Sequence, residues 1–255
     1  MAIQNATGSI SISIDATIAT IEFGHPASNS FPAQLLHELT KTIETLGQSP
    51  DVAVVVLKSQ GTAAFCAGAS FDELLAVTNE TEGKTFFSGF AHLINAMRKC
   101  PKFIIGRVQG KTVGGGVGIA AACDYVLASQ EASIKLSELA IGIGPFVIEP
   151  AVSRKIGKTA MAELSLTAQE WKSAAWAKEK GLYANTFESI EKLDQAVTEL
   201  VHQLATYNPE AVTAMKKVLW EGTEHWDTLL VERAAITGKL VISEATKTAL
   251  AAFKK

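Results

Sequence analysis

Two stretches of this chain are rich in small residues and poor in functional side chains. One is Ala64-Phe65-Cys66-Ala67-Gly68-Ala69-Ser70-Phe71-Asp72; the other runs Gly110-Lys111-Thr112-Val113-Gly114-Gly115-Gly116-Val117-Gly118-Ile119-Ala120-Ala121. What they offer is main-chain N–H. Glycine lets the backbone approach a bound group because no Cβ stands in the way. The first turn of a helix also leaves N–H groups unpaired at the positive end of its dipole. Such turns attract negative charge. If each stretch aims one N–H at the same point, the pair forms an oxyanion hole, where losing one donor typically costs about 2.7–4 kcal/mol of transition-state stabilisation.

Other readings compete. Gly110-Lys111-Thr112 suggests a phosphate loop, but that motif needs four residues between its glycines. Only three separate Gly106 from Gly110, and the glycine run follows the Lys-Thr pair rather than preceding it. Gly116-Val117-Gly118-Ile119-Ala120-Ala121 fits a dinucleotide fingerprint, with Glu131 after the next strand. Against it, the pattern sits in mid-chain and no further strand-helix repeats follow. Cys66 has no nearby histidine or basic partner to make it a nucleophile. The five histidines and three cysteines show no metal-ligand spacing, so no metal is expected. No G-x-S-x-G elbow for a serine hydrolase is present.

The elements that would position these turns are legible around them. Ser9 to Asp15 and Thr17 to Phe23 alternate as strands. Pro32 opens a helix whose Leu35, Leu36, Leu39, Ile43 and Leu46 share one face, with Gly47 closing it. Val52 to Leu57 reads as a strand buried on both faces, and Ser59 to Ala69 as a loop. A short helix follows from about Asp72 and a longer one from Thr81 to Arg98. The strand Phe103 to Val108 then feeds the glycine turn. Tyr125 to Ala128 and Ala132 to Leu136 are further strands, and from Val147 onward the pattern is helical almost throughout. Strand-helix alternation points to parallel units, hence an α/β fold.

Hydrophobic residues make up 47% of the 255 residues, enough for a substantial core. A net charge of −3, with no basic run, gives no footprint for nucleic acid. No apolar run reaches the roughly 18 residues of a membrane span. The start, Met-Ala-Ile-Gln-Asn-Ala-Thr, lacks the charged and apolar regions of a secretory leader. A cytoplasmic location is expected.

Ala64-Phe65-Cys66-Ala67-Gly68-Ala69, Gly114-Gly115-Gly116 with Cys123-Asp124 downstream, Ser137-Glu138-Leu139 and Gly142-Ile143-Gly144-Pro145 together resemble the crotonase (enoyl-CoA hydratase/isomerase) superfamily. The resemblance covers essentially the whole chain. It implies a ββα spiral core that binds acyl-CoA over residues 1–190. A helical oligomerisation region over 191–255 would build a homotrimer or a dimer of trimers. It implies a CoA thioester as substrate, without a further cofactor, its carbonyl oxygen held between the amides of Ala69 and Gly115. Ala27, Ala67, Gly114 and the segment Ser70, Phe71, Asp72 would contact the substrate.

The same resemblance points to Glu138 as the base, in an apolar setting (Leu136, Leu139, Ile141) that would raise its pKa by desolvation. The alternative is a solvated glutamate at a helix N-terminus. Where hydratases of the superfamily carry a second glutamate, this chain has Gly118. One carboxylate suffices to move a double bond, so Δ3-Δ2 enoyl-CoA isomerisation is the expected reaction. Glu149 is a candidate second acid that would restore hydration. Phe146 stands where some dehalogenases and dienoyl isomerases of the superfamily carry an aspartate, which disfavours those reactions. A silent CoA-binding oligomer is the reading from another class.

Overall fold

The computed structural model describes residues 8–253; the segment 1–7, read above for a leader, lies outside the described residues. Elements follow in the order β1 (Ser9–Asp15), β2 (Ile18–Gly24), α1 (Ala33–Gln48), β3 (Val54–Ser59), β4 (Ala64–Cys66), α2 (Phe71–Ala76), α3 (Glu80–Lys99), β5 (Phe103–Val108), β6 (Lys111–Val113), α4 (Gly115–Ala122), β7 (Tyr125–Ser129) and β8 (Ile134–Lys135). A single 3-10 turn, Leu139–Ile141, precedes α5 (Glu149–Leu166), α6 (Ala174–Glu179), β9 (Asn185–Phe187), α7 (Ile190–Ala205), α8 (Pro209–Leu219), α9 (Trp226–Val241) and α10 (Glu244–Phe253).

From β3 to β9 the strands alternate between two sheets. One has six strands in the order β1-β2-β3-β5-β7-β9, the other three in the order β4-β6-β8. β1 and β2 form an antiparallel hairpin, and every other pairing is parallel. From β3 onward each successive ββ pair (β3-β4, β5-β6, β7-β8) gives one strand to each sheet before a helix intervenes, which is a ββα repeat. The two faces of β3 explain its unbroken apolar run. Val55 and Leu57 enter the main core, while Val54 and Val56 face a second cluster with Leu193, Val197 and Val201 of α7.

Three strands differ from the sequence expectation. β4 lies within the stretch read as a loop, and β6 occupies Lys111–Val113 at the entrance to the glycine turn. β9 interrupts a region read as helical from Val147 onward. Each has three residues, too few to display a period of two. Their pairing comes from partners far along the chain: Leu127 with Asn185, Ala64 with Lys111.

The late helices pack on the core. Asp124 receives hydrogen bonds from the Ile104 amide, from Lys216 Nζ and from Trp220 Nε1, each at 2.7 Å. The Lys216–Asp124 pair is almost wholly buried and ties α8 to the head of β5. Among the described residues no helix is long and apolar enough to cross a membrane.

Candidate active site

The first small-residue stretch is gripped from behind by residues 28–31. The Ala67 amide donates to Ser28 O, the Phe31 amide to Gly68 O, and the Ser70 amide to Phe31 O. Across a trans peptide the C=O and the following N–H point in opposite directions. Since Gly68 C=O faces Phe31, the Ala69 N–H faces away from it, and Ala69 lines a cavity. Asn29 fixes this arrangement from a left-handed backbone (φ +57°), its amide donating to Gln60 O at 2.8 Å and Ala64 O at 2.9 Å.

The second stretch works by the same logic. Gly114 C=O accepts from the Val117 and Gly118 amides, so it points down α4. The Gly115 N–H therefore points out of the helix N-terminus, and Gly115 lines the same cavity. The two turns touch: a Cβ built on Gly68 would stand 3.7 Å from the Gly115 nitrogen. Gly114 itself, at φ +53° and ψ −121°, adopts a conformation that side chains resist.

Glu138 sits at the start of the 3-10 turn. The residue as a whole is half-buried, but its Oε2 is closed off from solvent and has no hydrogen-bond partner among the described residues. A Cβ on Gly114 would lie 3.0 Å from Glu138 Oε1, so the carboxyl stands directly against the turn that presents the Gly115 amide. Burial pushes its pKa up to about 7. The solvated helix-end alternative does not hold. The turn is braced from the far end of the chain, where Thr246 Oγ1 of α10 donates to Gly142 O at 2.9 Å.

Of the residues singled out from the sequence, the cavity gathers Ala67, Ala69, Phe71, Gly114, Gly115 and Glu138. Ala27 and Asp72 are exposed outside its lining, and Ser70 turns its hydroxyl to the Glu73 amide as the cap of α2. Glu149 does not reach the cavity, which corrects its candidacy as second acid. Its carboxyl is engaged by Ser153, Lys158 and Arg233. Against the opposing effect of partial burial, these bonds and the Arg233 charge hold its pKa down to about 2, so it has no proton to offer near neutrality. Cys66 is fully buried and its thiol is pushed up to about 12 by desolvation, which removes it as a nucleophile. Lys111-Thr112 lies on a strand instead of at a helix start, against the phosphate-loop reading.

Sequence reasoning missed the apolar walls: Phe87 and Phe90 of α3, Ile148 before α5, and Thr237 of α9. The phenylalanines carried a signal, since they fall on one helical face with Gly83. Thr237 carried none. Gly118 acquires a reason here: a Cβ on it would lie 2.3 Å from Ile148 Cγ2.

A family model described as enoyl-CoA hydratase/isomerase matches residues 13–254. A peroxisomal Delta(3,5)-Delta(2,4)-dienoyl-CoA isomerase of Arabidopsis thaliana is 29% identical over 226 residues, 82% of this chain and 80% of that protein. A short-chain-enoyl-CoA hydratase of Clostridium acetobutylicum is 28% identical over 242 residues, 94% of this chain and 92% of the other. In fold, the crystal structure of an enoyl-CoA hydratase from Bacillus halodurans superposes with a TM-score of 0.88 at 21% identity, covering 95% of this chain and 99% of that one.

Proposed function

Because this chain belongs to the enoyl-CoA hydratase/isomerase family, we propose that it moves the double bond of an enoyl-CoA from Δ3 to Δ2 with Glu138 as its single proton carrier. The observation that carries this reading is that Glu138 is the one titratable side chain lining the cavity among the described residues.

The thioester oxygen lies between the Ala69 and Gly115 amides. The Glu138 carboxylate takes a proton from C2, and the negative charge spreads to the oxygen, where the two donors stabilise it. The same group, now a carboxylic acid, returns the proton to C4, and the double bond ends between C2 and C3. One proton leaves and one returns, so no water is consumed. A pKa of about 7 suits a group that must both accept and give a proton near neutrality.

Hydration places heavier demands, since water must be activated and carbon protonated. The position that would supply a second glutamate is Gly118, and Ile148 occupies its space. Phe146, which stands where some dehalogenases and dienoyl isomerases of the superfamily carry an aspartate, lines the cavity without offering a proton. Glu149 is committed to its ion pairs. These observations favour isomerisation over hydration.

The test is steady-state turnover of 3-enoyl- and 2-enoyl-CoA. We expect conversion of the former to the latter, and unaltered turnover in Glu149→Gln. Hydration of 2-enoyl-CoA faster than isomerisation would reverse the assignment, and CoA binding without turnover of either would favour a silent binding protein.

A further inference from the structure

The cavity beside Glu138 is small, about 150 Å³, well below the roughly 300–1,000 Å³ of sites for drug-sized ligands. An apolar space of about 150 Å³ holds a molecule the size of benzene, roughly six carbon atoms. Its walls stand close. Ile148 is fully packed against Gly118. Phe87 and Phe90 stand on α3, and Phe146 closes in from the loop before α5.

The fourth wall is Thr237, which is 2% exposed. Its hydroxyl donates to Arg233 O within α9, so it asks nothing polar of a ligand. Thr237 is held inward by its neighbour. Gly238 meets Gly83 of α3 so closely that a Cβ on Gly83 would stand 2.7 Å from Gly238 Cα. Phe87 lies one helical turn from Gly83, so this contact sets the distance between Phe87 and Thr237. A glycine-on-glycine crossing brings two backbones to a spacing that no other residue pair allows, and the room between the helices shrinks with it.

We propose that the site accepts short acyl groups, up to about six carbons counted from the thioester, with Phe146 and Thr237 as the residues that end the chain. This rests on the acyl-CoA reading above and adds to it the substrate's size class.

Saturated thioesters test it without requiring turnover. Isothermal titration of the full chain with butyryl-, hexanoyl-, octanoyl- and dodecanoyl-CoA should give tightening from butyryl to hexanoyl, about fourfold per buried methylene. Dodecanoyl-CoA should bind at least about tenfold more weakly than hexanoyl-CoA, since a chain too long for the closed cavity cannot seat and forfeits the burial of at least two methylenes. In Phe146→Ala, octanoyl-CoA should gain at least about tenfold, by the same measure. Octanoyl or dodecanoyl binding as tight as hexanoyl in the unaltered protein would overturn the size limit while leaving the acyl-CoA reading intact. No binding of any thioester by folded protein would overturn both. A cut-off unmoved by Phe146→Ala would overturn that residue's place in the wall.

Discussion

Replacing Glu138 by glutamine should do two opposite things, and both follow from its burial. The carboxyl titrates near 7 in the folded chain, against an ordinary 4.5. A group whose pKa rises on folding binds its proton more tightly in the native state, so stability is full below 4.5 and declines as pH rises through about 7. That rise corresponds to about 3 kcal/mol, on the order of 1.4 kcal/mol for each tenfold change in proton affinity. Glutamine has nearly the same shape and never ionises. Glu138→Gln should therefore match the parent in denaturant unfolding at pH 4 and exceed it by about 3 kcal/mol at pH 8. Isomerisation should fall by about 10²–10⁴-fold, the usual worth of a positioned base, and in the parent kcat/KM should climb with pH through about 7. Equal stability of the two proteins at pH 8 would refute the buried, unpartnered carboxylate. Undiminished turnover in the variant would refute its role as base.

Two further perturbations probe the walls and the scaffold. Gly118→Glu alone should destabilise by about 1–3 kcal/mol through overpacking against Ile148 and gain no hydration of 2-enoyl-CoA. Combined with Ile148→Ala the carboxylate has room, and hydration measurable by steady-state assay should appear. Lys216→Met should cost about 3–5 kcal/mol in denaturant unfolding, because it strands a buried Asp124 carboxylate; a loss below about 1 kcal/mol would mean that the pair is solvated in solution.

Much of the site was legible before the fold was known. Small residues at 64–72 and 110–121 announce backbone chemistry, and the family resemblance singled out Glu138. The long helices α1 and α3 were readable to within a residue or two, since their apolar faces recur many times. What escaped was decided at a distance. Glu149 looks like a free carboxylate beside a proline until Arg233, 84 positions later, binds it. Thr237 is an unremarkable helix residue until Gly83 and Gly238 draw α9 onto α3. β9 has three residues, and only the neighbouring edge of β7 makes it a strand.

The contact between Gly118 and Ile148 also constrains how this lineage of sites can change. A carboxylate introduced at 118 meets an occupied space, while trimming Ile148 first leaves a hole in the cavity wall. Neither single change leaves the packing of this wall intact. The two positions are coupled by shape: a larger residue at 118 needs a smaller one at 148.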